Sequence, residues 1–178
     1  RTWCALLSDK VDVADRSNEL WKSLPKHLRS NPRLLRAWAE ALVRKGQLAE
    51  AESVVRKELN RQWSEELVLL YGEIRADNYS AMLRQAERWL HDHPDDPALL
   101  LTAGRLCVSS QLWGKARSYF ESSIGIRPSH ESWNELGQLL VQMGEVPAAS
   151  DAFQKGLRLI SHSTSAVPRI AARMTPQD

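Results

Sequence analysis

Cysteine is scarce in this chain, with two in 178 residues. Two cysteines make neither a disulfide framework nor a four-ligand zinc site. Long apolar runs are missing too. Stretches such as Ala98–Leu101 fall far short of the roughly 18 residues that span a bilayer. A surplus of one charge is lacking: the net charge is +2, which leaves no global nucleic-acid footprint. Alternating Val-, Ile- and Thr-rich runs and Asn-Gly or Asp-Gly hairpin turns do not occur, so strands are not expected. There is no G-x-S-x-G, Walker A loop, H-E-x-x-H, C-x-x-C or G-x-G-x-x-G, and no catalytic constellation is expected. The chain opens RTWCALL without an initiator Met, which reads as a piece of a longer protein.

What is present is helix. With 26% charged and 43% hydrophobic residues, the composition is that of a folded soluble domain. Apolar residues recur at spacings of three and four: Leu35, Trp38, Leu42; Leu48, Ala51, Val55, Leu59; Leu99, Ala103, Leu106; Ala116, Phe120, Ile124; Leu136, Leu140; Phe153, Leu157. Each stripe suits a short helix that cannot bury its apolar side alone. Seven tryptophans against two phenylalanines is an unusual ratio.

Internal repetition explains much of this. Trp133, Leu136, Gly137, Leu140, Gly144, Ala149 and Phe153 follow the tetratricopeptide pattern W-x2-L-G-x2-Y, then A-x3-F, with Leu for Tyr. Thirty-three residues earlier stand Gly104, Ala116, Phe120 and Ile124, closed by Pro128. Leu35, Trp38, Ala39, Leu42, Gly46, Leu48, Ala51, Val55 and Leu59 form another unit, and Gly72, Tyr79, Leu90 and Pro94 one with a turn about two residues shorter. The expected fold is all-α, a right-handed solenoid of about four repeats. The expected boundaries are 1–31 for an N-terminal partial repeat, then 32–62, 63–95, 96–128 and 129–161. A tail at 162–178 holds a possible capping helix at Ala166–Arg173. Small residues such as Gly72, Gly104, Gly137, Ala51, Ala116 and Ala149 let paired helices approach. Gly46 and Gly144 suit turns of positive φ. Five tryptophans, Trp38, Trp63, Trp89, Trp113 and Trp133, are expected in inter-helix packing. Trp21 is the one most open to a functional role.

The segment Asn60-Arg61-Gln62-Trp63-Ser64-Glu65-Glu66-Leu67-Val68-Leu69-Leu70, followed by LLxTAGRLC, WGKARSYFESSI and the final W-x-x-L-G unit, resembles the HemY family of bacterial inner-membrane proteins. The likeness spans roughly residues 20–160. It implies a helical-repeat domain at the cytoplasmic face of the inner membrane, held there by N-terminal transmembrane helices that this sequence does not contain. It also implies a non-enzymatic scaffold associated with late haem (protoporphyrin) biosynthesis, with haem-biosynthesis enzymes as candidate partners.

In tetratricopeptide proteins the first helices line a concave groove. Here its variable positions are Arg33, Arg36, Glu40 and Arg44; Glu66, Leu69 and Glu73; Leu101, Arg105 and Ser109; and Glu131, Asn134, Gln138 and Gln142. These are the candidate partner-binding residues. Arg36 and Glu40 replace the Lys and Asn of chaperone-tail receptors, which argues against that role. His91 and His93, with Asp92, Asp95 and Asp96, offer metal or haem donors; alternatively they sit at a helix end and cap it. Haem as a cofactor, and a haem or tetrapyrrole carrier as the function, stay open on that pair. Self-association through terminal repeats is a third reading. Cys107 falls in the Tyr-like slot of its repeat and reads as a buried hydrophobe. Residues 1–62 carry a net charge of +5, either a basic end facing anionic lipid or a solvated helix face.

Overall fold

The computed structural model describes residues 21, 23–29, 31–76 and 78–164, and every regular element among them is an α-helix. The chain divides into two compact units, 1–127 and 128–178. The first contains α1 (Lys26–Arg29), α2 (Pro32–Arg44), α3 (Leu48–Arg61), α4 (Glu65–Glu73), α5 (Tyr79–Asp92), α6 (Pro97–Ser109) and α7 (Trp113–Ile126); the second contains α8 (His130–Gln142) and α9 (Val146–Thr164). Trp3, Cys4 and the capping helix expected at Ala166–Arg173 lie outside the described residues.

Local chemistry sets the helix starts. Asn31 Oδ1 accepts from the amides of Arg33 (3.0 Å) and Leu34 (3.4 Å), with Pro32 as first helical residue. Asp96 Oδ1 does the same for Ala98 (2.9 Å) and Leu99 (3.0 Å), ahead of Pro97. Ser129 Oγ accepts from Ser132 N at 3.0 Å. Each cap satisfies amides that the first turn leaves without a partner, and proline there lacks only an N–H that would go unused.

Three of the helix pairs turn in one way. Gln47 N donates to Leu42 O (2.9 Å), Leu112 N to Cys107 O (2.9 Å), and Glu145 N to Leu140 O (2.8 Å). This closure needs a left-handed residue. Gly46 (φ 74°) and Gly144 (φ 80°) supply it, but Gln111 stands there at φ 59°. A side chain at such an angle costs roughly 1 kcal/mol.

Packing follows from small residues set against rings. A Cβ on Gly104 would lie 2.3 Å from Phe120 Cε1, and one on Gly137 2.5 Å from Phe153 Cε1. Here α6 lies against α7, and α8 against α9, at a distance only glycine permits. Ala51, Ala116 and Ala149 are buried on the second helices α3, α7 and α9.

The pair α4–α5 departs from this, and not at the turn alone. The helix itself is short: α4 has 9 residues, where α2, α6 and α8 have 13. The connection 74–78 is longer, not shorter, than the three-residue turns elsewhere. Buried Ile74 adopts an extended conformation (ψ 114°), and Asn78 starts α5 by accepting from Ala81 N at 3.3 Å. Gly72 faces Thr102 of α6 (3.1 Å from a Cβ) rather than α5. The buried Thr102 hydroxyl donates to Val68 O at 2.8 Å and ties α6 to α4. Tyr71 and Trp89 bridge α4 and α5, with ring centroids 5.0 Å apart.

Most of the tryptophans behave as packing residues. Trp38 and Trp89 are buried, and Trp89 Nε1 donates to Asn60 Oδ1 at 2.7 Å. Trp133 is half-buried, with Lys155 Nζ 4.9 Å from its ring centroid. Two expectations need correction. Trp113 is 37% exposed, because it sits at the start of α7 and not inside the hairpin. Trp21 stacks on Trp38 at 5.3 Å and 6°, so its ring is taken up by packing.

Gly104→Ala gains about 1 kcal/mol of helix propensity, but the collision with Phe120 costs about 1–3 kcal/mol. Net destabilisation in urea melts is expected. Gly125→Ala, with nothing within 4 Å of the new Cβ, is expected to stabilise by up to about 1 kcal/mol. Gln111→Gly should likewise raise stability by roughly 0.5–1 kcal/mol by relieving the left-handed backbone.

Candidate functional site

The first helices of unit one, α2, α4 and α6, pack in succession and carry most of the candidate groove residues. Arg36 Nε donates to Glu40 Oε1 at 2.8 Å. That bond, with Coulombic help from Glu73 and Glu66, holds the Arg36 guanidinium more firmly protonated than an ordinary arginine. Glu73 Oε1 lies 3.7 Å from Arg105 Nη1. Glu40, Arg36, Glu66, Glu73 and Arg105 thus form one row of mixed charge across three helices. Arg33, Arg44 and Ser109 are exposed at its margins, and Ser109 Oγ donates to Arg105 O at 3.2 Å. Leu69 is half-buried. Leu101 is 3% exposed and belongs to the core: α6 buries nearly every residue of its first two turns, so this position offers a partner no open surface.

Beside the row, a cavity of about 430 Å³ is lined by Asn31, Pro32, Arg33, Ser64, Glu65 and Glu66. Glu65 pairs with Arg127. In the second unit, Glu131, Asn134, Gln138 and Gln142 are exposed along α8 at steps of three and four, hence on one side of that helix.

The histidine pair has another job in part. The His93 ring stacks on Trp63, with centroids 3.9 Å apart at 18°. Trp63 Nε1 donates to Asp96 Oδ2 at 2.8 Å, and the other oxygen of Asp96 caps α6. His93, Trp63 and Asp96 therefore form a joint between the α3–α4 and α5–α6 connections. His91 is exposed on the last turn of α5. Among the described residues no three His, Cys, Asp or Glu side chains gather as metal ligands.

One cluster escapes sequence reasoning. Tyr71 OH donates to Glu52 Oε1 at 3.0 Å, and Arg56 Nε to the same oxygen at 2.9 Å. Burial, and then the Glu52 charge, push the Tyr71 hydroxyl well above its usual range. Glu52 and Arg56 line a cleft of about 510 Å³ between α3 and α5, with Asn78, Gln85 and Arg88 on its far wall. The cleft exists because the 74–78 connection is long, and no residue pattern announces that.

Cys107 is fully buried, and desolvation pushes its thiol up to about 11. At pH 8 about one part in a thousand is thiolate. In a Cys4→Ser variant, the remaining thiol is expected to resist iodoacetamide in native buffer and to react at an ordinary rate in denaturant.

No protein-family model matches the chain, and no curated protein does. Solved structures do. The chain is similar to "MamA RS-1 ArsTM double mutant" at 17% identity and TM-score 0.59, over 93% of this chain and 98% of that one. It is similar to "Crystal structure of MamA" at 17% identity and TM-score 0.57, over 88% and 99%. It is also similar to "MamA 41-end from Desulfovibrio magneticus RS-1" at 16% identity and TM-score 0.57, over 94% and 99%. At such identity the likeness is one of fold: an all-α chain of tetratricopeptide-type helical pairs.

Proposed function

We propose that this chain is a non-enzymatic protein–protein interaction scaffold that receives a segment of a partner on the first-helix face of α2, α4 and α6. The observation that carries this reading is the row of mixed charge from Glu40 and Arg36 through Glu66 and Glu73 to Arg105. Paired charges of both signs at fixed positions select a complementary partner and its register more than they add affinity. Exposed Arg33 and the cavity it shares with Glu66 extend the face. The exposed stripe Glu131, Asn134, Gln138 and Gln142 on α8 is the corresponding surface of the second unit.

The partner class rests on the HemY-like segment at residues 60–70. On that basis we further propose partners in the haem-biosynthesis machinery, met at the cytoplasmic face of a bacterial inner membrane. No described helix is long and apolar enough to cross a membrane, so attachment would come from residues other than these.

Pull-down with the isolated domain tests the face, the haem-biosynthesis enzymes being scored by mass spectrometry. Arg33→Glu/Arg36→Glu reverses charge at one end of the row and is expected to reduce recovery of the same partner at least tenfold. Far-UV circular dichroism should stay unchanged, because both side chains are solvated in part. Equal recovery by the variant rejects this face. Recovery of a specific partner outside the haem enzymes keeps the scaffold and rejects the pathway.

A further inference from the structure

The cleft between α3 and α5 carries an arrangement of charge that the first-helix row does not use, and the two share no residue. Buried Ala76 and Met82 give it an apolar wall, and Leu48 and Ala81 extend that wall. The two helices run side by side in the same direction. Leu48 and Asn78, at their starts, both line the cleft, and Trp89 Nε1 donates to Asn60 Oδ1 near their ends. Arg56 follows Glu52 by four residues on α3, and Arg88 follows Gln85 by three on α5. The guanidinium groups of half-buried Arg56 and exposed Arg88 therefore belong to the same end of the cleft, one on each wall.

The charges in the cleft do not balance. Among the described residues Glu52 is the one carboxylate that lines it. Its Oε1 already accepts from Tyr71 OH and Arg56 Nε. Tyr71 keeps its proton, because burial holds it well above its usual range, and so brings no negative charge. Arg88 donates to Gln85 Oε1, a neutral partner. Two cations thus face one anion in a cleft of about 510 Å³. Clefts of this size, mostly apolar with a few convergent polar groups, are the usual form of small-molecule sites. A guanidinium offers paired N–H donors that match a carboxylate. From Ala49 to Arg56, α3 advances about 10 Å, which leaves length for an apolar body beside the charged end. A bare inorganic anion would leave that wall in contact with water.

We propose that the α3–α5 cleft binds a small organic acid, its carboxylate held between Arg56 and Arg88 and its aliphatic or aromatic body lying along Met82, Ala81 and Leu48. Bound there, the acid ties α5 to α3 beside the long 74–78 connection. The site stands whether or not the charge row on α2, α4 and α6 receives a partner.

Amide chemical-shift mapping by NMR on the full chain tests it, with phenylacetate, phenylacetamide and inorganic phosphate as probes at one ionic strength. Phenylacetate is expected to shift the amides of 48–56 and 79–88 saturably, with a Kd in the millimolar range. Phenylacetamide has the same shape without the charge, and phosphate has the charge without the body. Each should bind at least about tenfold more weakly. Arg88→Gln should weaken phenylacetate by a similar factor while the rest of the spectrum stays in place, because Arg88 is exposed. Arg84→Gln, on the same helix but outside the cleft, should leave binding unchanged. Absence of saturable shifts overturns the proposal, as does equal binding of phenylacetamide or equal binding by Arg88→Gln. Phosphate that binds as tightly as phenylacetate overturns it in favour of a bare anion. Shifts of the same amides on dilution of the protein alone overturn it in favour of a second copy of the chain.

Discussion

A phenyl ring lying directly on a glycine backbone is the contact on which the pairs α6–α7 and α8–α9 depend. Phe120 on Gly104 and Phe153 on Gly137 bring two helices closer than any side chain at the glycine would allow. The distance of approach fixes the tilt of one helix on the other. It therefore also fixes which residues of the first helix turn outward. The left-handed turns at Gln111 and Gly144 and the backbone closure beside them serve the same end, since they hold the second helix in the register that puts its ring over the glycine; the pair α2–α3 shares the turn at Gly46 but packs buried Val55 and Ala39 instead.

The α4–α5 pair shows what happens when this contact is given up. Gly72 is spent on Thr102 of the following helix, and Thr102 is tied to Val68. With no ring on a glycine of its own pair, α5 is held by bulk, Tyr71 against Trp89, and by a polar tie from Trp89 to Asn60 of α3, while Tyr71 ties α4 to Glu52 of α3. A cleft lies between α3 and α5, beside the long 74–78 connection. The tryptophan excess belongs here as well. Trp63 and Trp89 meet edge to face at 5.8 Å, and each indole N–H has a side-chain acceptor. They supply the volume and the hydrogen bonds that a regular repeat obtains from closer packing.

Charge and apolar surface divide the work between faces. Along α2, α4 and α6 the pairs Arg36–Glu40 and Glu73–Arg105 make up much of the outward surface, the surface proposed to read a partner's charge pattern. On α9 the aliphatic side chains Val146, Leu157 and Ile160 are exposed beside the charged pair Asp151–Lys155.

How much of this was legible in the residues differs by level. The helices, their pairing and the glycine turns followed from local signals: period, caps and the need for positive φ at Gly46 and Gly144. Which side chains of α2 and α4 are left exposed or half-buried could be named by register, because a side chain's direction on a helix follows from its place in the repeat. Leu101 could not, because burial depends on how many helices surround α6. Trp113 failed for the converse reason, as its aromatic slot lies at a helix start with too little around it. His93 carried the chemistry of a ligand in the sequence, and only the fold brought Trp63, thirty positions away, to lie against its ring. Periodicity and turn chemistry act within a few residues and determined the elements; the charge row, the Trp63–His93–Asp96 joint and the α3–α5 cleft join residues far apart in the chain, and the packing of one pair on the next decided them.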